Sequence, residues 1–143
     1  MRRWLRGAET AFALALAWLL IFVIPLRFTL ARLGSSACGD RPRAAPSDQA
    51  QLIGRSIAAR VAWLSRRLPL DVMCLQRALA ALLMLRRRGI RTVIRFGVRR
   101  LDDSIGAHAW LMLGDVVLLG EEEAAGFVPI ADLGEGFVSR HGA

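Results

Sequence analysis

The chain has 143 residues and a net charge of +8, and all 20 of its basic residues are arginine, with no lysine, tyrosine or asparagine. That length holds one core, which at this size buries roughly two-thirds of the surface the unfolded chain exposes, and it argues against a multidomain machine. Two cysteines, Cys38 and Cys74, with no CxxC and no His/Cys cluster, argue against a disulfide-stapled scaffold and a structural zinc site, and favour a reducing cytoplasmic compartment.

The net positive charge favours anionic partners. From Thr10 to Leu26 the chain carries no charge for 17 residues, after Arg2, Arg3 and Arg6 and before Arg27. This is the lower edge of the roughly 17–25 residues a membrane span needs. Three roles are open: a helix packed on the domain or a partner, an anchor on or in the inner membrane through residues 10–26, or a signal segment ending near Gly34-Ser35-Ser36-Ala37. The expected organisation is an apolar helix over 1–33, a linker over 34–46 rich in Gly, Ser and Pro, and a folded domain over 47–143. No internal repeat is visible.

Ser47 before Asp48 predicts an N-cap, and Leu52/Ile53, Ile57, Val61 and Leu64 recur at helical spacing until Pro69. Asp71 predicts the cap of a second helix, with Leu75, Leu79, Leu82, Leu83 and Leu85 as its apolar flank. Arg86-Arg87-Arg88-Gly89 ends it, since cations suit a helix C-terminus and glycine the left-handed residue beyond. Three arginines without interleaved aromatics read as a solvated helix end rather than a nucleic-acid patch.

Beyond Gly89 the period becomes two. Thr92, Ile94, Phe96 and Val98 predict a strand, residues 99–106 a polar connection, and Ala107–Leu113, Gly114-Asp115 and Val116–Leu119 a strand, a tight turn and a strand. Helices followed by a small antiparallel sheet make an α+β domain.

With Asp71 as cap, Cys74 takes the third helical position, where unpaired N–H groups and the helix dipole favour a thiolate nucleophile. The alternative is a small buried apolar residue, or half of a Cys38–Cys74 bridge. His108 is the candidate base, because the other histidine, His141, lies two residues from the end of the sequence. If Gly114-Asp115 is a two-residue turn, the cross-strand pairs run from 113 with 116 to 108 with 121, setting Glu121 opposite His108 as the group that orients the ring. A slip of one residue favours Gly120 or Glu122. Asp115, or no third group, stays open. For the oxyanion the candidates are the Cys74 N–H and, more weakly, the Gln76 side chain.

Leu68-Pro69, Cys74-Leu75-Gln76-Arg77-Ala78-Leu79-Ala80, Leu85-Arg86-Arg87-Arg88-Gly89-Ile90, Gly97-Val98-Arg99, Ala107-His108-Ala109-Trp110 and Phe127-Val128-Pro129-Ile130 occur in an order and at spacings that resemble a known family. It is the stand-alone B2 proteins of lasso-peptide biosynthesis, which are transglutaminase-like, papain-like cysteine leader peptidases. The resemblance implies that Cys74 attacks the bond joining leader to core in a ribosomally made precursor, with His108 as base and then acid. It implies no cofactor, and as partners the precursor peptide, a separate leader-recognition protein and an ATP-dependent cyclase, with no nucleic acid. No stretch before the linker accommodates a recognition domain, in keeping with the split form. The chain departs from the family at Gly120, about where relatives carry an orienting Asp, and in the apolarity of its N-terminal run. Competing readings are acyl transfer to an amine, as in true transglutaminases, and a non-catalytic module that grips a leader or partner at a membrane.

Overall fold

The computed structural model describes residues 2–22, 35–37, 44–68 and 73–134; Cys38, Pro69, Asp71 and His141 lie outside them. The elements in chain order are α1 (Arg2–Phe22), β1 (Ser35–Ala37), α2 (Asp48–Ser65), α3 (Cys74–Arg86), β2 (Val93–Leu101), β3 (Ser104–Leu113), β4 (Val116–Leu119), a short α4 (Glu121–Ala124) and β5 (Val128–Leu133). The strands form one antiparallel sheet in the order β1-β5-β2-β3-β4. This is the expected α+β arrangement.

The local signals act as their chemistry requires. Ser47 caps α2, accepting a bond from the Ala50 N–H at 3.2 Å. At the end of α3 the Ile90 N–H bonds the Leu85 carbonyl and the Gly89 N–H that of Arg86, the paired bonds of a Schellman ending. Gly89 sits at φ +72°, a conformation that penalises any side chain. Gly114, at φ +57°, opens the two-residue turn that pairs Leu113 with Val116 and Met112 with Val117.

One face of the sheet carries the three long helices. Their core joins Ala13, Leu14 and Ala17 of α1, Ile57 and Val61 of α2, and Leu79, Leu82 and Leu85 of α3 to Ile94, Ala109, Leu111 and Leu133 of the sheet. Alanines at 13, 17, 78, 80 and 81 let the helices approach closely. The α1 seam is also ionic. Glu9 takes Arg88 at 2.8 and 2.9 Å and lies 3.8 Å from Arg60 and 3.9 Å from Arg87. The bond from Arg88 holds the Glu9 carboxyl below the usual carboxylate range, and the same bond pushes Arg88 up. Burial draws Arg60 down.

Three expectations are corrected. The segment 99–106 is not a loose connection: β2 runs on to Leu101, turns at Asp102-Asp103 and returns from Ser104, with Arg99 opposite Gly106. Backbone pairing carries this solvent-exposed end of the hairpin without the apolar alternation that marks a buried strand. The α3 helix starts at Cys74 with Met73, extended at φ −62° and ψ 151°, as its cap, so Cys74 is the first helical residue rather than the third. The β3–β4 ladder also slips after two pairs, for Met112 faces Val117 while Leu111 faces Leu119. Leu118 is the extra residue of this bulge. Its side chain drops onto α2 where Gly54 leaves space, since a Cβ there would lie 2.8 Å from Leu118 Cδ1.

Candidate active site

The site is built at the start of α3 and at the end of β3 that extends beyond β4. The first α3 backbone bond runs from the Arg77 N–H to the Met73 carbonyl at 3.1 Å, so the N–H groups of Cys74, Leu75 and Gln76 have no partner within the helix. Cys74 is a free, half-buried thiol at this positive end of the helix dipole. The donors an oxyanion needs are thus backbone groups beside the sulfur.

His108 lies on β3 with 6% of its surface exposed. Strand alternation sends Ala109 and Leu111 into the helix-facing core, and His108 and Trp110 toward Phe127. The imidazole is held between two rings, the Trp110 indole at 5.8 Å and 23°, and the Phe127 ring at 5.4 Å and 47°. Gly97, paired with His108 across the β2–β3 ladder, makes room for this. A Cβ on Gly97 would come within 2.6 Å of the Trp110 ring and 3.1 Å of Phe127. Phe127 is in turn covered by the Arg99 guanidinium at 4.7 Å.

Both ring nitrogens have partners. Nε2 is 3.2 Å from the Gly120 carbonyl, and Nδ1 is 3.6 Å from a carboxylate oxygen of Glu123. A carbonyl only accepts, so the hydrogen bond to Gly120 has Nε2 as its donor, and in the neutral ring Nδ1 is then the nitrogen with a lone pair. The other oxygen of Glu123 is 3.9 Å from Arg77. Arg77 is one turn beyond Cys74 on the same face of α3, so the carboxylate links the cysteine's helix to the histidine's ring. Among the described residues no hydrogen bond runs from the Cys74 thiol to His108. The contacts that run from His108 through Glu123 to Arg77, at 3.6 and 3.9 Å, are longer than hydrogen bonds.

The expected third group is displaced. Glu121 is not opposite His108: the Leu118 bulge and the left-handed Gly120, at φ +88°, end β4 and begin α4, on which Glu121 and Glu122 are exposed. The Gly120 carbonyl is instead the group bonded to Nε2. A Cβ on Gly120 would lie 3.2 Å from that nitrogen and 3.0 Å from Trp110 Cβ, so the turn is built tightly against the ring. Asp115 sits in the turn beyond β3, whose last residue, Leu113, is five positions past His108, roughly 17 Å along the strand at 3.3–3.4 Å per residue. Gln76 also departs from expectation. Two residues past Cys74, it lies about 200° around the helix, and its amide is buried and donates to the Leu14 carbonyl of α1 at 3.2 Å. It holds α1 rather than an oxyanion.

Glu123 was not selected from the sequence, Gly120 was weighed there only as the partner of His108 after a one-residue slip, and Arg77, Trp110 and Phe127 entered only as parts of the blocks that carry the resemblance. A signal for Glu123 was present, for glycine followed by three glutamates is the start of a short acidic helix turn rather than the continuation of a strand. The corner it forms faces α2 across a cleft of about 350 Å³, lined among others by Arg55, Arg66, Arg77 and Gly120.

No curated protein and no solved structure matches the chain significantly. A family model does: it is described as transglutaminase-like superfamily and matches residues 13–132, from within α1 to the penultimate residue of β5. The match takes in the cysteine at the start of α3, the histidine of β3 and the corner after β4 in one unit. The chain belongs to the transglutaminase-like superfamily.

Proposed function

We propose that this protein is a cysteine peptidase that cuts the leader from a ribosomally made lasso-peptide precursor, the role implied by its resemblance to the B2 proteins. The observation that carries the reading is the His108 ring. It is buried, clamped by Trp110 and Phe127, and fixed in one tautomer by Gly120, which leaves Nδ1 as a base on the side of Glu123 and the Arg77 turn of α3.

In the reaction Nδ1 takes the thiol proton of Cys74 and the sulfur adds to the scissile carbonyl, whose oxygen gathers charge toward the free N–H groups of the first α3 turn. The imidazolium so formed faces the Glu123 carboxylate. It then passes its proton to the leaving amine as the C–N bond breaks. Water, deprotonated by the same nitrogen, adds to the thioester; the C–S bond breaks and the proton returns to sulfur. The core fragment departs with a free amine and the leader with a free carboxylate. A separate recognition protein delivers the leader and an ATP-dependent cyclase takes the released core.

The test is precursor cleavage followed by mass spectrometry, with the recognition protein present. Wild-type protein yields a leader ending in a carboxylate. Cys74→Ala abolishes the cut while leader binding, measured by fluorescence anisotropy, is retained. Unchanged cleavage by Cys74→Ala overturns the reading. Incorporation of an added primary amine at the leader's new end in preference to water makes the protein an acyltransferase instead, and binding with no turnover by wild type makes it a leader-gripping module.

A further inference from the structure

The α1 helix has two apolar faces, and the fold uses one of them. Thr10, Ala13, Leu14 and Ala17 are buried against α2 and α3. The other stripe runs through Trp4, Ala8, Ala11, Ala15 and Trp18, with Leu5, Phe12 and Leu19 beside it, stepping by three, four or seven residues as one helical face does. Its large members are open to solvent: Trp4 is 85% exposed, Phe12 67%, Leu5 65% and Leu19 41%. Between Gly7 and Phe22 the only ionisable residue is Glu9, and it is turned inward to Arg88 and Arg60. The outward face past Arg6 is therefore without charge for about four turns.

Scattered exposed apolar residues are ordinary, whereas a continuous apolar face of this length is a contact surface. The charge says what it meets. The chain carries +8, and Arg2, Arg3 and Arg6 all fall in the first turn and a half of this helix, ahead of the uncharged stretch. An aqueous protein partner needs no such combination, but an anionic bilayer attracts guanidinium groups to its headgroups and accepts Trp, Phe and Leu just beneath them. Trp63 of α2, 52% exposed with the Arg67 guanidinium 4.1 Å over its ring, repeats the pairing of indole and cation.

The Trp4–Ile21 segment is long and apolar enough to cross a membrane, with a mean hydropathy of 1.4. The inward face argues for a different pose. A helix whose Glu9 is spent on Arg88 and Arg60, and whose Leu14 carbonyl receives the Gln76 amide, is fastened lengthwise to the domain. We propose that α1 lies in the plane of an anionic lipid surface, its Trp4/Phe12/Leu19 face in the headgroup boundary and its Glu9/Leu14 face on the enzyme, docking the folded domain without spanning the bilayer. This inference stands apart from the reaction proposed above.

The test uses the full chain in flotation with phosphatidylglycerol-containing vesicles, pure phosphatidylcholine vesicles as control, and the variant Trp4→Glu/Phe12→Glu. Wild type is expected to float with the anionic vesicles at least about tenfold more than with the neutral ones, and the variant to lose that binding. Both changes are at exposed positions, so the variant should melt as wild type does. If it does not, quenching of wild-type tryptophan fluorescence by brominated anionic lipid takes its place as the readout. Membranes carrying the protein should release it into alkaline carbonate. The proposal is overturned if wild type stays unbound, or if brominated lipid leaves its fluorescence unquenched. It is equally overturned if a folded variant floats as well as wild type, if carbonate fails to release the chain, or if the double substitution breaks a dimer that does not bind vesicles.

Discussion

Among the carboxylates that meet arginines, Glu9 and Glu123 do so in opposite ways. Glu9 at the α1 seam is 17% exposed and holds Arg88 at 2.8 Å, with Arg60 and Arg87 around it. Glu123 at the His108 corner is 56% exposed and stands 3.6 Å from the ring and 3.9 Å from Arg77. The first is a tight cluster centred on the two short Arg88 bonds, and it ties α1 to α2 and to the end of α3. The second is loose, solvated and shared between two partners, as suits a group beside a ring that gains and loses a proton in the proposed reaction. Short contacts mark what the fold needs to hold, and long ones mark what the chemistry needs to change.

The largest test of that contrast is His108→Ala. Cleavage should fall by about three orders of magnitude, and the loss of a ring packed between Trp110 and Phe127 should also cost about 2–3 kcal/mol of stability. A thermal scan together with single-turnover cleavage separates the two effects. Next is Gly97→Ala: with no room for its methyl against Trp110, it should cost about 2 kcal/mol in urea unfolding and release the clamp on His108. Unchanged stability would show that the aromatic pair is not packed as described. Glu123→Gln should lower kcat about tenfold and leave KM alone, and Glu121→Gln should do nothing. The reverse result would restore the strand register read from the sequence.

The smallest effect belongs to the seam. A carboxyl held below its ordinary value of about 4.3 contributes stability that is present above that value and lost as pH falls through the lower, folded one. Glu9→Gln should therefore cost about 1 kcal/mol at neutral pH, allowing for solvent screening. It should also flatten the decline in stability below about pH 4. Denaturant midpoints across pH 2.5–7 check both.

Much of the architecture was legible in single residues. Ser47, Gly89 and Gly114 each sit where a cap, a left-handed ending and a tight turn require them, because these are local demands that a few neighbouring atoms decide. The family assignment followed from the spaced Cys and His blocks, and the superfamily match upholds it at that coarser level. What escaped was set at a distance. The bulge at Leu118 packs into the space over Gly54, 64 residues earlier, and together with the left-handed Gly120 that starts α4 it leaves Glu123 rather than Glu121 as the histidine's acidic neighbour. The start of α3 at Cys74, and the use of Gln76, likewise depend on how the helix is docked rather than on its own sequence.

The bond from Gln76 to Leu14 spans 62 residues of chain with one contact. Because it leaves α3 only two residues after Cys74 and ends on a main-chain oxygen that cannot swing aside, it acts as a key in a slot. It sets the angle through which α3 is rolled about its own axis. The direction in which the Cys74 sulfur points is therefore written partly in the placement of α1, and any force that tilts the N-terminal helix is felt at that side chain as a torque.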